Sequence, residues 1–112
     1  GDVKGKKAIL IDDMIDTAGT ICNAAQALLE KGAVEVYACA THAIFSGPAL
    51  ERLKNSAFTR VVVTDSIHLP EEQRFEKLRI LSTSKMFAET IKRITTSEAI
   101  SDLFEIPVEN IE

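Results

Sequence analysis

The sequence predicts an α/β fold, a three-layer arrangement with a mostly parallel sheet and flanking helices. Three observations carry that expectation. Short apolar or β-branched runs recur near residues 8–12, 35–41, 60–64 and 78–82. Stretches with apolar residues at helical spacing separate most of them, and strands alternating with helices belong to parallel sheets. The first run, Ala8-Ile9-Leu10-Ile11, is continuous rather than alternating, the pattern of a strand buried on both faces.

The chain opens on a polar, turn-like lead, Gly1-Asp2-Val3-Lys4-Gly5-Lys6-Lys7, without an initiator Met, and reads as a piece of a longer protein. The first strand follows over 8–12. From 20 to 31, Ile21, Ala24, Ala25, Leu28 and Leu29 fall at helical spacing, and Gly32 stands where a left-handed residue closes a helix. A second strand spans 35–41. Ser46-Gly47-Pro48 signals a helix start, because Pro in a first turn loses no needed N–H; that helix is expected over 47–54 with Leu50 and Leu53 inward. Val61, Val62 and Val63 make a third strand over 60–64, which sets Asp65-Ser66 at its carboxyl end. Residues 67–77, with Pro70 and many charges, read as a loop. A short fourth strand spans 78–82, and a helix over 85–94 aligns Phe87, Ile91 and Ile94, with Ser84 as its cap. The tail, 97–112, is left open between a helical turn and an edge strand.

The whole length, 112 residues, fits one domain at most, and a 46% hydrophobic share with 27% charged residues is ordinary for a globular one. Thirteen basic against seventeen acidic residues give a net charge of −4, which argues against a nucleic-acid-binding face. No apolar run approaches the roughly 20 residues of a membrane span, and no signal-peptide pattern opens the chain. A cytoplasmic setting is the default. Cys22 and Cys39 lack CxxC spacing and read as two small apolar side chains in a reducing compartment.

Chemistry concentrates at residues 8–20. The first strand delivers Asp12 and Asp13 to a loop, and Asp16, Thr17, Ala18, Gly19 and Thr20 open onto the first helix. Carboxylates accept hydrogen bonds from hydroxyls or hold a hydrated cation. Small residues at a helix start leave N–H groups for an anion, and Gly19 is expected to supply close approach and positive φ. Thr17 or Thr20 would equally serve as a simple helix cap. Adjacent carboxylates, however, repel unless a ligand or cation is shared. A phosphorylated ligand bearing hydroxyls fits best. The glycine spacing is not that of a P-loop, and no Lys-Ser/Thr pair follows. His42 reads as a packed or capping histidine, His68 as solvated, and Asp65-Ser66 as flanking a ligand site.

A rival from another class is a receiver-type phosphoacceptor module, with Asp12-Asp13, Asp65, Ser82 or Thr83 and Lys85 as its constellation. The Asp-Thr-Ala-Gly-Thr loop has no task in such a module. The lysine should also follow a separate fifth strand.

The run Ile-Asp-Asp-Met-Ile-Asp-Thr-Ala-Gly-Thr (11–20) closely resembles the PRPP-binding loop of the ribose-phosphate pyrophosphokinase family, whose fold is of the type I phosphoribosyltransferase kind. Gly-Lys-Lys-Ala-Ile-Leu before it, Val-Tyr-Ala-Cys-Ala-Thr-His (36–42), Phe-Ser-Gly-Pro-Ala (45–49) and Leu-Pro-Glu-Glu (69–72) extend the likeness over about residues 1–104. The resemblance implies transfer of diphosphate from ATP to ribose 5-phosphate, giving PRPP and AMP with Mg²⁺, in a homo-oligomer. It assigns Asp12 and Asp13 to the ribose hydroxyls and to water on the metal, with no direct metal ligand. It assigns Asp16, Thr17, Ala18, Gly19 and Thr20 to the 5-phosphate. The chain matches the carboxyl-terminal third of such an enzyme, so the ATP pocket and the catalytic residues are expected upstream, and the piece alone is expected to be inactive. The family's tail often carries Ser-x-Ser-x-Leu-Phe near a regulatory phosphate site; here Ala99-Ile100-Ser101-Asp102-Leu103-Phe104 has Ala at the first position.

Overall fold

Four parallel strands, β1 (Lys7–Ile15), β2 (Glu35–Ala43), β3 (Arg60–Thr64) and β4 (Leu78–Leu81), lie in the spatial order β1-β2-β3-β4. The computed structural model describes residues 1–105. These fall into two compact units, Gly1–Leu81 and the residues from Ser82 onward.

In the first unit, α1 (Gly19–Glu30) joins β1 to β2, and α2 (Ala49–Lys54) joins β2 to β3. Parallel neighbours need crossovers, and right-handed crossovers stepping one way through a sheet lie on the same face. A polar cleft lined from both helices shows them side by side. Ala25, Val36, Ala38, Ala40, Leu53, Val61 and Val63 form the core, closed by Phe58, all buried. Each large side chain among them contributes about 1.5–3 kcal/mol by leaving water. α1 ends in a Schellman motif: Ala33 N–H donates to the Leu28 carbonyl at 3.0 Å and Gly32 N–H to that of Leu29 at 2.9 Å. Gly32, at φ 98°, is the left-handed residue expected there.

The α/β class, the parallel sheet and its flanking helices are as expected. Several local expectations are corrected. β1 is longer than 8–12 and is not buried on both faces: Ile9 is 59% exposed and Ile11 81%. Among the described residues β1 has one strand neighbour, β2; Ala8 and Leu10 on one side, and Ile15 at its end, pack on the core. α2 starts at Ala49, because Gly47 at φ 55° cannot continue a right-handed helix. The 67–77 segment includes a short 3₁₀ turn, Glu71–Gln73. The receiver arrangement fails on topology, since its order 2-1-3-4-5 puts β1 inside the sheet, whereas here β1 pairs only with β2 among the described strands.

The second unit contains α3 (Ser84–Thr95) and a 3₁₀ turn over Ser101–Glu105. Ser84 begins α3 rather than capping it; its N–H donates to Ser82 Oγ at 3.2 Å. Arg93 ties the turn to the helix, pairing with Glu89 at 3.0 Å and with Asp102, and donating to the Ala99 carbonyl at 3.1 Å. The open choice for the tail resolves to a helical turn as far as Glu105; the remainder of 97–112 lies outside the described residues. No helix among the described residues is long and apolar enough to cross a membrane.

Candidate functional site

In a parallel sheet all strands end on one side, and ligands gather there. At that end of β1, Asp12 and Asp13 are both exposed strand residues, whereas the expected strand ended at 12 and left Asp13 to the loop. Consecutive strand residues project to opposite faces, and the Asp13 N–H donates to Asp12 Oδ1 at 2.8 Å. The two carboxylates are therefore not a side-by-side pair. Asp12, with Met14 and residues 15–21, lines a cleft of about 150 Å³; Asp13 lies outside that lining. The volume is below the roughly 300 Å³ at which pockets for whole drug-sized ligands begin, so it suits a head group.

Asp16, Thr17, Ala18, Gly19 and Thr20 all line the cleft, as a strand-to-helix turn. The residue with positive φ is Ala18 (65°), not Gly19, which is already the first residue of α1. Ala18 is also the N-cap residue, and no side chain caps the helix, so neither Thr17 nor Thr20 acts as the simple cap. Nor is any acidic residue present in the first turn. The first N–H groups of a helix have no intrahelical acceptor and carry about half a positive charge in sum. In α1 these donors border the cleft.

The back of the turn is held by one segment, residues 44–52. Three consecutive carbonyls are taken up there. Ile15 O accepts from the N–H groups of Ile44 and Phe45, both at 3.1 Å; Asp16 O accepts from Ser46 N–H at 2.9 Å; Thr17 O accepts from Arg52 Nη1 at 3.1 Å. Phe45, at φ 51°, holds a conformation that bulky residues rarely adopt. Its ring is buried and packs on Phe75 at 6.3 Å between centroids, which offsets the backbone cost. Gly19 matters by its missing side chain: a Cβ there would stand 3.0 Å from Arg52 Nη1.

Neighbouring strand ends add polar groups. His42 Nδ1 meets Ser66 Oγ at 2.7 Å, and Ser66 Oγ donates to the Thr41 carbonyl at 3.1 Å. His42 is hydrogen-bonded to Ser66 but stays exposed, rather than packed or capping a helix as expected. The Asp65 N–H closes on the Leu81 carbonyl at 3.1 Å. Behind the turn, Cys22 lines the polar cleft between α1 and α2, and burial pushes its thiol up from the ordinary range. Both cysteines are free and half-buried. Among the described residues no three His, Cys, Asp or Glu groups converge as a metal cage.

The phosphoribosyl synthetase-associated domain model matches residues 1–105. The chain belongs to that family. It is 60% identical over 104 residues to a ribose-phosphate pyrophosphokinase of Caldanaerobacter subterraneus subsp. tengcongensis, covering 93% of this chain and 33% of that protein. A ribose-phosphate pyrophosphokinase of Fusobacterium nucleatum subsp. nucleatum is 57% identical over the same coverage. The crystal structure of phosphoribosylpyrophosphate synthetase from Mycobacterium smegmatis superposes with a TM-score of 0.84 at 44% identity, covering 87% of this chain and 33% of the other. The chain thus spans about a third of the length of the relatives that it matches.

Sequence reasoning missed Arg52 and the backbone donors of Ile44, Phe45 and Ser46. Ser46-Gly47-Pro48 signalled a helix start, but nothing in it says which carbonyls its N–H groups meet.

Proposed function

We propose that this chain is the ribose 5-phosphate and PRPP side of a ribose-phosphate pyrophosphokinase, a transferase of nucleotide biosynthesis. The observation that carries the reading is the uncapped start of α1 in a head-group-sized cleft beside Asp12. Thr17, Ala18, Gly19 and Thr20 offer the 5-phosphate backbone N–H groups and hydroxyls at a positive helix end. Asp16 contributes through the backbone, since its carboxylate would repel a phosphate. Asp12 accepts from the ribose hydroxyls within the cleft, and Asp13, at the same end of β1 but outside the cleft lining, takes hydroxyls that reach past it.

In the proposed reaction the anomeric hydroxyl oxygen bonds to the β-phosphorus of ATP. The bond from that phosphorus to AMP breaks, and the hydroxyl proton is lost. Such a transfer rests mostly on positioning and charge stabilisation. This chain positions the acceptor; the ATP pocket and the catalytic residues belong to the other two thirds of the enzyme, and the chain alone does not turn over. Mg²⁺ fits the donor set as a hydrated ion, because it keeps several waters and takes one or two carboxylates with substrate phosphates. Asp12 and Asp13 would meet it through water, and the ion would neutralise phosphate charge. Two free thiols suit a cytoplasmic setting, and the complete enzyme is proposed to be a homo-oligomer.

Calorimetric titration of the chain with ribose 5-phosphate and Mg²⁺ tests the reading. Asp12→Ala should weaken binding about tenfold or more, as for loss of hydrogen bonds to a charged group, whereas Glu72→Ala, at the distant 3₁₀ turn, should leave it unchanged. Equal affinity for both variants would contradict the assignment.

A further inference from the structure

The deepest consequence of the three-carbonyl brace falls on Arg52, which sequence reasoning passed over. Its guanidinium does not line the cleft bordered by Asp12 and Thr20. It lines the second, polar cleft of about 270 Å³ behind the turn, together with Gly19, Cys22 and Asn55. From there Nη1 donates to the Thr17 carbonyl at 3.1 Å and sits where a Cβ on residue 19 would fall 3.0 Å away.

Resting on the phosphate reading above, we infer that Arg52 is a positioning residue for the phosphate-binding turn. It fixes the Thr17-Ala18 peptide from behind, so that the N–H groups of Gly19 and Thr20 stay directed at the cleft. The geometry supplies three reasons. Ala18 is in the left-handed region, which strains a non-glycine residue and needs outside bonds to persist. The two carbonyls before Thr17 are held by backbone donors of residues 44–46, so Arg52 completes the series at the last carbonyl before the left-handed residue. Gly19, the residue that admits the guanidinium, belongs to the turn itself. Arg suits the task better than Lys, since its planar fork is fixed in direction while an ammonium is a mobile point charge.

The same bond links ligand affinity to the placement of α2. Arg52 rides on a helix of six residues whose own entry turn donates to Asp16 O, so a shift of α2 moves both supports together.

The test compares the full chain with Arg52→Met, which keeps the stem, and Arg52→Lys, which keeps the charge. Three quantities are read: ribose 5-phosphate affinity, amide hydrogen exchange at Gly19 and Thr20 without ligand, and melting temperature. Arg52→Met should bind about tenfold more weakly and exchange faster at both amides, with a melting point within a few degrees of the parent. Arg52→Lys should fall between. Unchanged exchange in Arg52→Met overturns the inference whatever the ligand does. Unchanged affinity in a variant whose exchange has risen overturns the link from turn to phosphate. Failure of the parent itself to bind ribose 5-phosphate would instead overturn the functional reading, and the inference with it.

Discussion

Ala18 is the residue on which the site's backbone turns. It combines φ 65° with burial, so its methyl group faces the core while its backbone reverses direction into α1. A β-branched side chain there would meet both constraints at once. Ala18→Val should lower stability by about 1–3 kcal/mol, measured by chemical denaturation, and a neutral effect would mean that the turn is not held left-handed in solution. The sequence made this position visible but swapped its role with its neighbour's: Gly19 was the natural choice for positive φ, and Ala the natural helix starter. What reversed them is the packing of Arg52 against residue 19, a contact 33 positions away that no local pattern announces. Asp12 and Asp13 were legible as candidate residues, but strand geometry parts their side chains, which adjacency in sequence conceals.

At the level of elements, most helices and strands were legible, because Val and Ile runs and the Ile21-to-Leu29 spacing act locally. The burial of β1 was not. A continuous apolar run says that both faces are apolar, not that both are covered, and Ile9 and Ile11 remain exposed. The start of β1 is tied to β2 by charge: Lys7 pairs with Glu35 at 3.2 Å, and the Tyr37 hydroxyl donates to the Glu35 carboxylate. The Tyr37 bond first, then Lys7, holds Glu35 below the usual carboxylate range. Folding therefore favours its ionised form. That contribution is present above the ordinary glutamate value of about 4.3 and is lost as pH falls through the folded-state value. The same cluster raises Lys7 and Tyr37, whose contributions are lost only as pH climbs through their raised values. Melting temperature against pH should thus fall less steeply on the acid side for Glu35→Gln than for the parent. Parallel acid limbs would remove Glu35 from the account. The groups are at the surface, so the effect should shrink at high salt.

Across the first unit, the parallel sheet gathers every strand end on one side, and the segments that leave β1 and β2 there brace each other. The residues 44–52 do not touch the proposed ligand cleft, yet they hold the three carbonyls behind it. The chain spans about a third of its relatives' length, and the acceptor cradle is the part of the proposed reaction assigned to it above. In the proposed function, the 5-phosphate of ribose 5-phosphate lies on the N–H groups of residues 17–20. Amide chemical shifts of the labelled chain, titrated in parallel with ribose 5-phosphate and with ribose, test it most directly. Large, saturable shifts at Thr17, Ala18, Gly19 and Thr20 are expected with ribose 5-phosphate and not with ribose; shifts confined to other residues, or equal with both sugars, would contradict that placement.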